Sequence, residues 1–186
     1  KDMNGDLVVD AYDKTVIGNP NPKHYGGFTN SFGYKGIELN VHMQWSYGNE
    51  IMNANRLIFE GNITGMPHVN QYASWANRWT PENQTNTLFR TGGAGPQVMS
   101  SRTLEDGSYL RLKTVSLGYN LPSAWLKRVN ISNINLNVAA QNLLTLTKYS
   151  GLDPEVSVFN SVLTPGFDYS AYPNARTLVF GLKVQF

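Results

Sequence analysis

The chain ends in the stretch TLVFGLKVQF, residues 177–186, in which apolar and polar side chains alternate almost without interruption. One face of this stretch carries only apolar side chains, namely Leu178, Phe180, Leu182, Val184 and Phe186. The opposite face is polar except for Val179. A period of two predicts a β-strand, because successive side chains of a strand point to opposite faces. An amphipathic strand that ends on an aromatic residue favours the closing strand of a transmembrane β-barrel, whose apolar face meets lipid and whose polar face lines a watery lumen.

Four more segments have the same period and are predicted to be strands of the same antiparallel sheet: residues 25–34, 37–47, 109–121 and 134–142. Residues 37–47 alternate throughout, over about the 9–11 residues that a tilted strand needs to cross a bilayer. In residues 109–121 the first half alternates in the opposite phase to the second half. This change of phase predicts a β-bulge or a change of environment within the strand.

The connections between the predicted strands alternate between short and long. Residues 35–36 and 122–133 are short connections, whereas residues 48–108 and 143–173 are much longer. Short turns at one rim and long loops at the other are typical of outer-membrane barrels. The pattern therefore predicts long extracellular loops and a periplasmic C-terminus.

Short helices are expected within two of these connections. Residues 49–60 place Ile51, Ala54 and Ile58 at helical spacing, which predicts a short amphipathic helix. Residues 123–128 follow a proline and are expected to form one helical turn.

Five strands are too few to form a membrane barrel, for which about eight are needed. An open sheet in lipid would leave the backbone groups of two edges without partners, which hydrocarbon does not tolerate. We therefore expect further strands outside these 186 residues. No signal peptide is visible and the first residue is Lys1, so we expect a piece of a longer chain.

Composition narrows the classes of function. The net charge of +2 gives no reason to expect a nucleic-acid partner. The chain has no cysteine and therefore neither a disulfide nor a thiolate metal site. Aromatic residues reach 12% and charged residues only 15%, which favours β-structure with aromatic anchors.

The N-terminal segment carries oxygen ligands at the spacing of a calcium-binding loop. Positions 1, 3, 5, 7, 9 and 12 of such a loop are taken by Asp2, Asn4, Asp6, Val8, Asp10 and Asp13. The usual glycine at position 6 is Leu7, and position 12 is an aspartate instead of a glutamate. Two interpretations stay open: a calcium site, and a surface turn rich in Asp and Asn.

Two further groups of side chains are candidate contacts. Tyr72, Trp75 and Trp79 lie at helical spacing and either pack the interior of a loop or stack on sugar rings as substrate or partner contacts. Arg111 and Lys113 lie on one face of a strand, where hydrogen bonding along the barrel wall is the default and an anion site the alternative.

Ordered motifs along nearly the whole chain resemble the C-terminal part of SusC/RagA-type TonB-dependent outer-membrane transporters of Bacteroidota. The motifs are DMNGD at 2–6, IGNPNP at 17–22, GGF at 26–28, SYGNEI at 46–51, RWTPEN at 78–83, DGSYLRLK at 106–113, LGY at 117–119, QNL at 141–143, KY at 148–149, DPE at 153–155, YP at 172–173 and RT at 176–177.

The resemblance implies a barrel of about 22 strands with a plugged lumen. Residues 1–186 would be the C-terminal portion of that barrel, and the N-terminal plug and the earlier strands would lie outside this chain. It further implies import of oligosaccharides or peptides with a SusD-like surface lipoprotein, energised through TonB. No enzymatic activity is implied, and an acid–base role for Asp153 and Glu155 is not expected because both belong to a family motif.

The same features also allow a fold from a different class. The alternating strands, the aromatic loops and the Asp-rich loop would also fit a soluble, calcium-containing, carbohydrate-binding β-sandwich. A sandwich predicts that the apolar strand faces pack against a second sheet.

Overall fold

The computed structural model describes residues 2–8, 10–61, 69–90, 99–127, 130–155 and 164–186, and the chain divides into two compact units. The sheet unit consists of Pro20–Asn53 and Glu105–Phe186. The loop unit consists of Lys1–Asn19 and Ala54–Leu104.

A five-stranded antiparallel sheet forms most of the sheet unit. In spatial order its strands are β1 (His24–Tyr34), β2 (Ile37–Tyr47), β5 (Tyr109–Asn120), β6 (Asn133–Thr147) and β8 (Thr177–Gln185). The three remaining strands, β3 (Glu50–Asn53), β4 (Leu104–Asp106) and β7 (Phe167–Asp168), form a separate small sheet in the order β4-β3-β7. The predicted strands are thus confirmed, and within the described ranges the large sheet is open at β1 and β8.

The predicted bulge in β5 is also confirmed. Against β2, Thr114 pairs with His42 and Leu112 pairs with Met43, so Lys113 is the extra residue. The register against β6 shifts at the same place. The extra residue restores the phase, so that the apolar side chains of both halves of β5 lie on one face of the sheet.

The apolar face of the large sheet is bare. Phe180 is 78% exposed and Leu182 is 66% exposed, and Phe32, Tyr34 and Leu136 are exposed as well. Among the residues that the structure describes, no second sheet covers this face. The sandwich alternative requires such a cover, and this observation therefore counts against it.

The opposite face is tied together by polar side chains of neighbouring strands. The Oγ1 of Thr29 and the Nδ1 of His42 lie 2.9 Å apart. The hydroxyl of Ser31 donates to Asn40 Oδ1 at 2.6 Å, and Asn40 Nδ2 donates across the next pair to Ser116 at 3.4 Å. Cross-strand hydrogen bonds of this kind stabilise the sheet and specify its register.

The helix predicted for residues 49–60 is wrong in its first half. Residues Glu50–Asn53 form β3, and only Asn55–Phe59 form a helix, α1. The backbone N–H of Met52 donates to the carbonyl of Gly166 at 2.8 Å, next to the parallel pairing of β3 with β7. Pairing with a distant segment thus overrides the local helical spacing.

The other helices are short. The helical turn predicted after Pro122 is α2, Ser123–Leu126, while the predicted end at Arg128 lies outside the described residues. Three single 3₁₀ turns cover Ala11–Asp13, Ala73–Asn77 and Ser101–Thr103. Among the residues that are described, no helix has both the length and the apolar character needed to span a membrane.

Candidate functional site

A partly buried ion-pair cluster lies on the polar face of β5, at the bulge. We call it the arginine cluster: Arg111, Lys113, Asp153 and Glu155. The Arg111 guanidinium, only 2% exposed, donates through Nη2 to Asp153 and through Nη1 to Glu155 Oε2 at 2.7 Å. Lys113 Nζ reaches the same Glu155 oxygen at 2.9 Å. The anions that these two cations bind therefore belong to the chain itself, in agreement with a role in the barrel wall.

Asp153 joins this cluster to a third stretch of chain. Its Oδ1 also accepts the backbone N–H of Glu155 at 2.9 Å, and its Oδ2 accepts both the backbone N–H and the side-chain amide of Asn174, at 2.9 and 3.0 Å. One buried carboxylate thus fixes β5, the DPE turn and the segment before β8 relative to one another. These bonds make Asp153 and Glu155 structural acceptors with cationic partners.

The charge of Asp153 is maintained by these partners. Burial works to raise the pKa of Asp153, but the Arg111 hydrogen bond and the two backbone N–H groups outweigh it, so the pKa lies below its usual value. Within the described part of the chain, Arg111 Nε has no hydrogen-bond acceptor. The ring of Tyr109 lies under the guanidinium, 5.5 Å away from its central carbon.

A second buried network joins the small sheet to the end of β6. The hydroxyl of Tyr149 donates to Asp168 Oδ2 at 2.6 Å, and both side chains are buried. Glu105 accepts the hydroxyl and the backbone N–H of Ser150, each at 2.8 Å, and the amide of Asn53 at 3.2 Å. This network gives the KYSG stretch, residues 148–151, a structural role.

Two glycines permit close approach around this network. A Cβ on Gly151 would lie 2.5 Å from Cζ of the Tyr149 ring, and a Cβ on Gly107 would lie 2.6 Å from Cγ1 of Ile51. Neither separation is possible without movement of the neighbouring side chain.

A buried glutamate organises the loop unit. Glu60, which is 6% exposed, accepts Arg56 Nε at 2.7 Å, Arg102 Nη1 at 3.4 Å and the Ser74 hydroxyl at 2.8 Å. Arg102 also lies over the ring of Phe89, 5.4 Å from its centroid. The loop unit is therefore a folded element with a polar centre.

The three aromatic residues proposed as sugar contacts have different environments. Trp75 is 7% exposed and packs the interior of the loop unit, and the Tyr72 ring contacts Phe59 with 5.3 Å between centroids. Trp79 follows the 3₁₀ turn and lines an open cleft of about 480 Å³. Its other lining residues are Thr85, Asn86, Leu88, Phe89 and Arg90. Substrate contact stays a prediction, and this geometry favours Trp79 for it.

The Asp-rich N-terminal loop folds around its own backbone. The carboxylate of Asp2 accepts the N–H groups of Gly5 and Leu7 at 2.7 and 2.9 Å, and Asp13 accepts those of Met3 and Asp10 at 2.6 and 2.8 Å. The Gly5 and Met3 bonds are the main reason that the pKa values of Asp2 and Asp13 are lowered. Leu7, in the place of the usual glycine, has the left-handed backbone angle φ of 66°.

Calcium binding by Asp2, Asn4, Asp6, Asp10 and Asp13 stays a prediction. Among the described side chains, no group of three or more His, Cys, Asp or Glu residues is arranged to hold a metal ion.

The calcium prediction is checked with terbium, a luminescent calcium probe, on the purified protein. We expect saturable binding that calcium displaces and that Asp6→Asn weakens by about tenfold, since a carboxylate ligand is lost. The matched control is Asp106→Asn, outside this loop. Equal binding by both variants would favour the surface-turn interpretation.

Comparison with known proteins supplies the family. No family model matches the chain. It is 38% identical to TonB-dependent receptor P3 and 35% identical to TonB-dependent receptor P26, both of Formosa agariphila, and 25% identical to TonB-dependent receptor SusC of Bacteroides thetaiotaomicron. Each comparison covers all of this chain but only 17 to 19% of the relative, so the chain spans less than a fifth of their length.

A solved structure agrees with the sequence comparison. The RagAB peptide importer in its closed-closed state matches 96% of this chain and 19% of the importer chain, with a TM-score of 0.79 and 28% identity. In the open-open state the match covers 92% of this chain, with a TM-score of 0.75. In sequence and in fold, the chain belongs to the SusC-like TonB-dependent receptors.

Proposed function

We propose that the chain forms the C-terminal part of the barrel of an outer-membrane importer that takes up oligosaccharides or peptides. The observation that carries this proposal is the exposed apolar face of a sheet whose opposite face is a ladder of polar side chains. Such a sheet is stable when lipid covers one face and a plugged, watery lumen borders the other.

The open edges support a larger barrel. β1 and β8 each have one edge without a strand partner in the described part of the chain, and lipid does not tolerate such edges. We propose that earlier strands of the same receptor pair with both, in a barrel of about 22 strands around an N-terminal plug.

The connections support an orientation. β1 and β2 are joined by the two-residue turn Lys35–Gly36, in which both residues have positive φ angles. In this proposal the short turns and the C-terminus are periplasmic, and the long connections are extracellular.

Two partners follow from the proposal. The similar proteins include the TonB-dependent receptor SusC and the peptide importer RagAB. For the present chain we propose a SusD-like surface lipoprotein that delivers substrate and TonB that opens the plug. The residues of this chain would supply barrel wall, rim and partner-docking surface.

The proposal is tested on the receptor that contains this chain. We expect the receptor in the outer-membrane fraction, a surface lipoprotein that co-purifies with it in mild detergent, and loss of substrate uptake when TonB is deleted. Recovery in the soluble fraction would contradict the membrane assignment. Undiminished uptake without TonB would contradict the mechanism.

A further inference from the structure

We propose that the cleft beside Trp79 in the loop unit binds an acidic sugar, that is, a saccharide residue with a carboxylate or sulfate group. This inference rests on the proposed import function and names a class of substrate for it. Its ligand-binding side chains are Trp79, Asn86 and Arg90, which line the same open cleft of about 480 Å³.

The walls of the cleft are held in place by the backbone. The N–H of Trp79 donates to the carbonyl of Leu88 at 3.3 Å, which joins the two sides of the cleft. The turn between them is closed by paired backbone bonds between Thr80 and Asn83, at 3.0 and 3.1 Å. The Asn83 amide also donates to the carbonyls of Asn77 and Arg78 at 3.1 Å each. A site that is organised before binding loses less entropy when a ligand arrives.

Trp79 supplies a rigid aromatic wall. Its side chain is partly buried and lines the cleft. Phe89 differs, because Arg102 lies over its ring. Within the described residues, no aromatic ring or cation is stacked on Trp79. A large apolar surface with few degrees of freedom suits the flat C–H face of a sugar ring.

Arg90 supplies an exposed cation at the cleft. In the loop unit, Arg56 and Arg102 both pair with Glu60. In the stretches that the structure describes, Arg90 pairs with no carboxylate, and its side chain is exposed at the cleft. A guanidinium binds carboxylate and sulfate-like groups through paired hydrogen bonds.

Asn86 adds the group that favours a sugar over a peptide. Its carboxamide is exposed at the cleft and both donates and accepts hydrogen bonds, as neighbouring hydroxyl groups do. An aromatic face, an amide and a cation together match a ring that carries hydroxyl groups and one anionic group. An acidic peptide would satisfy Arg90 but would present few hydroxyl groups to Asn86.

The test uses the full receptor with its co-purified partner and three probes: an oligogalacturonate, the same oligosaccharide with its carboxyl groups reduced to alcohols, and a peptide of equal negative charge. Binding is measured by calorimetry. We expect the oligogalacturonate to bind most tightly of the three probes. Arg90→Gln should weaken its binding by about tenfold, because one charge-assisted hydrogen-bonded pair is lost. Trp79→Ala should weaken the binding of both saccharides.

Matched variants separate the site from general effects. Lys14→Gln removes an exposed positive charge of the loop unit outside the cleft and should leave binding unchanged. Trp79→Phe keeps an aromatic wall and should retain most of the affinity. Unchanged heat stability of the barrel on gels establishes that the variants fold.

Three results would overturn the inference: tighter binding of the peptide, equal effects of Arg90→Gln and Lys14→Gln, or no effect of Trp79→Ala. In each case import across the outer membrane would still stand. The import proposal itself would fail if substrate uptake continued undiminished after TonB is deleted.

Discussion

Replacement of Arg111 by methionine is expected to lower the free energy of unfolding by about 3–5 kcal/mol, because the variant leaves Asp153 as a buried charge without its main partner. Arg111 is 2% exposed and bonds to both Asp153 and Glu155. The measurement is unfolding by urea in lipid vesicles, followed by tryptophan fluorescence. Without the Arg111 ion pairs, the DPE turn and Asn174 should be held less firmly, so proteolysis near these residues should become faster.

The matched control is Lys113→Met. The Lys113 side chain is 31% exposed, and its ammonium pairs with the outer carboxylate, Glu155. A partly exposed pair contributes about 1 kcal/mol or less, so this variant should be far milder. Equal destabilisation by the two variants would contradict a special role for the buried arginine.

The pH dependence of the same cluster has a defined sign. The folded-state pKa of Asp153 is lowered from 3.8. The stabilisation that ionised Asp153 contributes is therefore fully present above the pKa that this carboxyl has in the unfolded chain. It is lost as the pH falls through the lower pKa of the folded state. Asp153→Asn should remove this part of the acid sensitivity, so that the stability difference from the parent protein shrinks in acid.

Replacement of Phe180 by arginine is expected to destabilise the inserted protein by about 2–4 kcal/mol, the cost of a cation on the lipid face near the bilayer midplane. Phe180 lies in the middle of β8 and pairs with Val138 on the apolar face. The measurement is again unfolding in vesicles, together with the yield of folded protein in the outer membrane.

Val179→Arg is the control for this prediction. Val179 is the neighbouring residue on the opposite face and pairs with Ala139. A lumen-facing arginine stays hydrated, so we expect little loss of stability. If Val179→Arg were as harmful as Phe180→Arg, the assignment of the two faces to lipid and lumen would be wrong.

The large sheet was predictable because its signal is local. Alternation over nine or more residues specifies a strand and its faces. The change of phase in 109–121 indicated either a bulge or a change of environment, and the structure shows a bulge at Lys113. β6 continues to Thr147, beyond the predicted end at residue 142. Asn142 adopts a positive φ of 51° beside the register shift. This irregularity interrupts the alternation of apolar and polar side chains from which the strand was predicted.

Local sequence patterns could not predict the small sheet or the buried ion pair of Arg111 with Asp153. β7 has only two residues, and its parallel pairing with β3 joins segments more than one hundred residues apart. Arg111 and Asp153 were both noted in motifs, but their contact spans 42 residues of sequence. Asn86 and Arg90 carry no periodic signal, so the cleft became visible only when the turn beside Trp79 was known.

In the proposed barrel, lipid covers one face of this sheet, and spin labelling along β8 tests this arrangement. The chain has no cysteine, so single cysteines can be placed at residues 178, 179, 180, 182 and 183 in a receptor otherwise free of cysteine. Each carries a spin label in vesicles. We expect oxygen, which concentrates in lipid, to relax the labels at 178, 180 and 182 more strongly, and a water-soluble nickel complex to relax those at 179 and 183 more strongly. Uniform accessibility along the strand, without a period of two, would contradict this arrangement.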